Sequence, residues 1–178
     1  MSRSVICISR TTGATGEELA KIVAEKLGFS YIDDEIVVRA AQVAGVSPQA
    51  IAEAEASDVN TEYSALIEDV IRETADLGNV VIFAHGASIP LAGRADVLRV
   101  LVTASPEARA RRLASDGEMD EQGARDAVDE SDRARERYLE RFYQVGQEKP
   151  THYDLTVNTE TMTAKRAARL VMQAALTL

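Results

Sequence analysis

The 178-residue chain has one cysteine, Cys7, and two histidines. A lone cysteine excludes an internal disulfide framework, so nothing in the cysteine usage points to secretion. Placed inside the first apolar run, Cys7 reads as a small buried strand residue rather than a nucleophile. No Cys/His cluster has the spacing of a structural metal site, and none is expected. No apolar run approaches the about 20 residues of a membrane span. Polar "SRTTGATGEE" interrupts the first apolar segment too early for a signal peptide, which makes a cytoplasmic protein the expectation. Basic residues are scarce: 20 against 29 acidic, a formal net charge of -9. That balance argues against nucleic acid or an anionic membrane as partners, because either would meet long-range repulsion. A small anion in a local basic pocket remains compatible with it.

Five short segments read as strands: "SVICIS" (4–9), "FSYID" (29–33), "NVVIFA" (79–84), "VLRVLVTA" (97–104) and "YDLTVNT" (153–159). The first, third and fourth are nearly continuous apolar runs, the pattern of strands buried on both faces. Helical patterns lie between them. "GEELAKIVAEKLG" aligns Leu19, Ile22, Val23 and Leu27 and ends at Gly28, and "DDEIVVRAAQVAG" repeats the form to Gly45. "SPQAIAEAEA" and "SPEARARRLAS" open with serine caps, Ser47 and Ser105, each followed by proline. "TEYSALIEDVIRETADLG" ends at Gly78. A long charged helix spans about Asp120 to Tyr143, and "TAKRAARLVMQAAL" closes the chain. No repeat, low-complexity tract or linker divides it. This alternation predicts one α/β domain, three-layered and doubly wound, with about five parallel strands. In such sheets ligands bind at the carboxyl ends of the strands, which selects "SRTTGATGEE", "DDE", "HGAS" and "TASPEARARR".

The first of these segments has the context of a phosphate-cradling loop: strand, glycine-bearing turn, helix. The full G-x-x-x-x-G-K-[ST] pattern ending on Gly16 needs glycine at 11, lysine at 17 and a hydroxyl at 18. The chain has Thr11, Glu17 and Glu18, retaining Gly13 and Gly16. A plain βα turn also fits, with Thr15 capping the helix and both carboxylates complementing its dipole. Arg10, at the end of the strand, is the cation nearest to replacing the missing lysine.

Several segments taken together resemble the cytidylate kinase-like family of P-loop proteins. "ISRTTGATGEELA" follows that family's I-S-R-x-x-G-S-G-G-[RK]-E-I-A, and "YIDDEI" its Y-x-D-[RK]-E-[IL]. "VIFAHGA" follows V-I-x-G-R-G-A, and "VLRVLVTASPEARARRLA", "DRARERYLERFY" and "HYDLTVNT" come after in the family's order, so the likeness covers nearly the whole chain. It implies transfer of the γ-phosphoryl group of ATP, taken with Mg²⁺, to a nucleoside monophosphate such as CMP. It also implies acceptor-binding helices at about 34–77 and a helical lid at about 106–144. Arg109, Arg112, Arg133 and Arg137 are by this likeness the lid arginines that close on the transferred group. Read as a bare helix, that charged stretch is equally a solvated salt-bridge face. The nucleotide-binding positions implied are Arg10, Gly13, Thr15, Gly16, Glu17, Asp33, Arg39 and His85.

The chain departs from the family at three of them. Glu17 reverses a cation, His85 replaces an arginine, and Thr15 adds a Cβ where a glycine stands. These departures keep a second function open: an impaired kinase-like domain that senses a nucleotide, regulates, or serves as a dimeric scaffold. Asp33 is either part of an acidic helix start or a group that meets the acceptor or magnesium-bound water. Arg39 is the nearest cation to an acceptor phosphate, and His85 a weak cation near neutrality. Arg99, inside a strand, requires a partner, and His152 reads as a loop residue. The helix ending at Gly78 and the one after Asp120 are the segments a homodimer would use.

Overall fold

In the computed structural model, residues 3–56, 63–115 and 119–177 are described. Val5 and Cys7 point to one face of the first strand and Ile6 and Ile8 to the other, all nearly excluded from solvent. Strand β1 (Val5–Arg10) is therefore buried on both sides, as its continuous apolar run requires. It pairs in parallel with β3 (Val80–Ile82) on one edge and β4 (Val97–Thr103) on the other. β2 (Ser30–Ile32) extends the sheet beyond β3, and β5 (Leu155–Asn158) beyond β4. The order is β2-β3-β1-β4-β5, all parallel.

Helices α1 (Gly16–Leu27) and α7 (Ala164–Thr177) cover one face, through Leu19, Val23, Ala167 and Val171 packed on Ile6, Val81, Leu98 and Val100. Helices α2 (Glu35–Ala44), α3 (Pro48–Ala56) and α4 (Ser64–Asp76) cover the other, through Ile36, Ile51, Ile67 and Ile71 against Val5, Val80 and Ile82. Each fully buried aliphatic side chain contributes about 1.5–3 kcal/mol of hydrophobic stabilisation, so the two faces account for the fold. Helices α5 (Pro106–Ser115) and α6 (Glu121–Tyr143) pack on each other through Ala110, Ala124 and Val128.

The expected termini are largely observed. Gly28 and Gly45 take left-handed conformations, φ 67 and 69, and return their N–H groups to the ends of α1 and α2. Ser47, Ser105 and Asp120 each accept a backbone N–H three residues on. Thr61 and Glu62, where the helix leading to Gly78 was expected to begin, lie outside the described residues. One cap differs from expectation, and the start of α2 is held by another group. Thr15 adopts φ 58, so its hydroxyl is carried away from the N–H groups of α1, is buried and has no partner. Asp34 makes no side-chain cap either; the carboxylate of Glu35 instead accepts the N–H of Asp33 at 2.9 Å. Arg99 has the partner its strand position demands, a two-pronged ion pair to Asp154 at 2.9 and 3.2 Å. Burial opposes ionisation of Asp154, yet Arg99 holds its carboxyl below the ordinary value. Complete burial pushes the Cys7 thiol up to about 12, so it is inert near neutrality.

Candidate active site

Strand β1 leads to α1 on one face of the sheet, while the chain after β2 runs into helices on the other. The crevice this opens at the carboxyl ends of β1 and β3 is where an open parallel sheet takes ligands. Two cavities lie there. One, about 240 Å³, is lined by Ser9, Arg10, Asp33, Asp34, His85 and Arg135 together with the ends of β1 and β3. The other, about 290 Å³, sits over the glycine-bearing loop, among Arg10, Thr12, Gly13, Thr15, Gly16, Glu17, Glu18 and Arg112.

The loop is held from below. Gly13 has φ 80, and a Cβ there would meet the Arg109 carbonyl oxygen at 2.9 Å. Gly16 is as tightly placed: a Cβ there would meet the Cβ of Arg10 at 2.6 Å. Arg112 donates to the Gly13 carbonyl at 3.1 Å and to the Thr159 hydroxyl at 3.3 Å, joining the loop to the segment after β5. Arg109, almost fully buried, forks onto Asp132 at 2.9 and 2.6 Å and reaches the Thr12 carbonyl at 3.3 Å. It therefore fastens α5 to α6 and to the loop. Thr12 also shares a hydrogen bond with Ser131 of α6 at 2.5 Å.

Arg10 borders both cavities. Its guanidinium lies over the Phe83 ring at 5.5 Å and donates to Thr12 at 3.2 Å. Glu17, exposed at the start of α1, pairs with Lys21 one turn on at 2.6 Å, and that hydrogen bond keeps its carboxyl below the ordinary value. Asp33 behaves oppositely. Burial raises its carboxyl, the Tyr31 hydroxyl at 3.2 Å offsets part of this, and the nearby charges of Asp34 and Glu17 add to the rise. His85 and Gly86 both have left-handed backbones, φ 51 and 62. The end of α6 closes on that turn: Tyr143 donates to the His85 carbonyl at 2.5 Å, and a Cβ on Gly86 would meet the Tyr143 ring at 3.0 Å. A non-glycine residue in this conformation is a strained position of the kind found at ligand sites.

The structure thus gathers Arg10, Gly13, Thr15, Gly16, Glu17 and Arg112 around the loop cavity, and Arg10, Asp33 and His85 around the other. It does not bring Arg39 there, since its guanidinium is bound to Thr74 at 2.7 Å and to Glu73 at 3.3 Å on α4. Arg133 and Arg137 are exposed on α6, Arg137 paired with Glu130 at 2.8 Å. The α6 arginine that enters the cavity is Arg135, half-buried and bonded to Ser9 at 2.5 Å and Glu148 at 2.5 and 2.9 Å. The sequence carried a signal for it. Val128, Arg135 and Leu139 are spaced seven and four apart, so Arg135 lies on the inward stripe of α6 while its two neighbouring arginines do not.

Among the described residues no three His, Cys, Asp or Glu side chains come together as a metal site. Glu18 occupies the position where the phosphate-loop pattern has its magnesium-reaching hydroxyl, and with Glu17 it lines the loop cavity. These are oxygen ligands of the hard type that Mg²⁺ takes, so they suit a magnesium ion arriving with a nucleotide rather than a resident one. No described helix is long and apolar enough to cross a membrane.

A sequence profile of the cytidylate kinase-like family matches residues 5–161. A cytidylate kinase of Archaeoglobus fulgidus is 29% identical over 170 residues, 95% of this chain and 93% of that protein. One of Pyrobaculum arsenaticum is 31% identical over 115 residues, 64% and 61% of the two chains. Among solved structures, an uncharacterized protein from Eubacterium ventriosum superimposes with a TM-score of 0.76 at 16% identity, covering 96% of this chain and 97% of that one. A shikimate kinase from Bacteroides thetaiotaomicron does so at 0.60 and 16%, with the same coverage. At such identities the structural likeness bears on the fold alone.

Proposed function

Since the chain belongs to the cytidylate kinase-like family, we propose that it transfers the γ-phosphoryl group of ATP to a nucleoside monophosphate, with CMP as acceptor. The observation that carries this reading is Arg10, one guanidinium on the wall of both cavities. Phosphoryl transfer asks a protein chiefly to align two anionic groups and to neutralise the charge that spreads between them. In this assignment the ATP phosphates lie over Gly13–Gly16, with the acceptor phosphate in the cavity of Ser9, His85 and Arg135. An acceptor phosphate oxygen attacks the γ-phosphorus, the bond to the β–γ bridging oxygen breaks, and ADP leaves with that electron pair. Magnesium bound with the ATP supplies neutralisation that this loop lacks. Arg10 faces the transferring group from the end of β1, and Arg135 faces it from α6. Asp33 and Asp34 stand at the acceptor end, where they accept hydrogen bonds from a ligand rather than bind its phosphate.

A second reading, a nucleotide-sensing domain without turnover, draws on Thr15 and Glu17. The left-handed threonine puts a side chain where a phosphate would approach, and Glu17 presents a carboxylate to it. Incubation with MgATP and CMP separates the two by coupled ADP release and thermal shift. ADP formed in proportion to CMP is the expected result; a raised melting temperature without ADP leaves the sensor, and no shift at millimolar nucleotide overturns both. The variant Glu17→Lys should bind MgATP about tenfold more tightly, because it replaces repulsion by attraction within reach of the phosphates. Unchanged affinity would remove the loop as the phosphate site.

A further inference from the structure

Four donors converge on the carboxylate of Glu148, in the irregular segment between α6 and the short 3₁₀ turn Pro150–His152. Arg135 gives Nε to Oε2 at 2.5 Å and Nη2 to Oε1 at 2.9 Å. Ser9 donates to Oε1 at 2.8 Å, and the Tyr153 hydroxyl donates to the same oxygen. The carboxylate is largely buried, its side chain 11% exposed, among Ser9 and Tyr153, which are themselves buried. These are the donors a phosphate oxygen takes: a guanidinium edge and two hydroxyls in a poorly solvated corner. Ser9 and Arg135 line the acceptor cavity, whereas Glu148 stands behind them. The bonds of Arg135 to Glu148 and Ser9 run through Nε and Nη2, while the same side chain lines the cavity.

We infer that Glu148 is an internal counter-anion of the acceptor site, competing with a phosphoryl group for Arg135. The inference rests on the phosphotransfer reading of that cavity. A carboxylate bonded to two nitrogens of a guanidinium cancels most of the field the third projects into the cavity. Asp33 and Asp34, which also line the cavity, add further repulsion. An anion entering alone meets a nearly neutral Arg135, while one accompanied by its own cation does not depend on it. Glu148 also removes the penalty of a half-buried, unpaired arginine in the empty protein. It therefore favours the folded ligand-free state and opposes anion capture at the same time.

That double effect is the test. Glu148→Gln keeps the shape and the acceptor oxygen while deleting the charge. Titrated calorimetrically with inorganic phosphate, it should bind about tenfold more tightly than the wild type, since Arg135, released from its counter-charge, then presents its full cationic field to the cavity. Its melting temperature should fall. In an Arg135→Gln background the same change should raise phosphate affinity far less, because only the weaker direct repulsion is then removed and there is no guanidinium to compete for. Weaker or unchanged phosphate binding by Glu148→Gln overturns the inference, and so does an equal gain with Arg135 removed. If the glutamine variant does not fold, Glu148→Asp, which withdraws the charge from the fork, should give a gain of about threefold, and no gain overturns the inference equally. Tighter phosphate binding with no ADP formed by the wild type from MgATP and CMP overturns the kinase reading alone. ADP formation with no effect of Glu148→Gln on phosphate overturns the counter-anion alone.

Discussion

Asp33 shows how the site's charge is held in check by its surroundings. Burial raises its carboxyl above the ordinary 3.8, with the Tyr31 hydroxyl partly offsetting and Asp34 and Glu17 reinforcing the shift. An acid whose folded value is raised favours the folded state fully below its unfolded value and loses that contribution as pH rises through the folded one. At neutral pH the charged Asp33 therefore works against folding. Asp33→Asn should raise the melting temperature by roughly 1–2 °C at pH 7, and the difference should close below about pH 4. Melting curves across pH 3–8 check this; a gap that persists in acid would mean the gain comes from packing. Thr15 is a second residue held against preference. Its left-handed backbone costs a non-glycine residue roughly 1–2 kcal/mol, and its buried hydroxyl lacks a partner.

At the scale of elements, α5 and α6 are joined by an ion pair, buried on its arginine side, as well as by the apolar contact of Ala110, Ala124 and Val128. Arg109 is 4% exposed at its side chain and Asp132 37%. Arg109→Ala should lower the unfolding free energy by about 2 kcal/mol, because it removes a buried side chain and leaves the Thr12 carbonyl without its donor, while the partly exposed Asp132 carboxylate turns to water. Arg133→Ala, on the exposed face of α6, should change it by less than about 0.5 kcal/mol. Urea unfolding of both variants tests the contrast, and equal losses would contradict the assignment of Arg109 as the fastener.

The elements themselves were legible in the sequence: five strands, the helix-ending glycines and the serine caps follow from period and punctuation. Much of the loop site was legible too, since a phosphate-type loop is local in sequence and its residues arrive together. What was not legible lies between segments. The spacing of Val128, Arg135 and Leu139 sets Arg135 apart from Arg133 and Arg137, but the groups it meets lie in other segments. Arg39 is the cation nearest in sequence to the acceptor end but is captured by α4. Ser9, Arg135, Glu148 and Tyr153 form one network only because β1, the end of α6 and the approach to β5 converge at one corner of the sheet, which no window of sequence contains.

The whole molecule works against its own ligands. A net charge of -9 sets up a repulsive potential for nucleotides well beyond the site. Association of MgATP should therefore quicken as salt is raised from about 0.01 to 0.15 M, by roughly twofold, as the Debye length shrinks from about 30 to 8 Å. Stopped-flow binding at several ionic strengths reads this directly; a rate that falls with salt would show that the local cations outweigh the remote acids.

Arg10 on the shared wall of the two cavities has a consequence for how their occupancies speak to each other. A guanidinium already neutralised by one polyanion offers less to the next, so ligands of the two cavities should antagonise one another. Linkage makes that antagonism mutual and equal in size. A single molecule spanning both cavities would meet Arg10 once and escape the antagonism, and the arrangement of phosphates that comes nearest to such a molecule is the one midway through transfer.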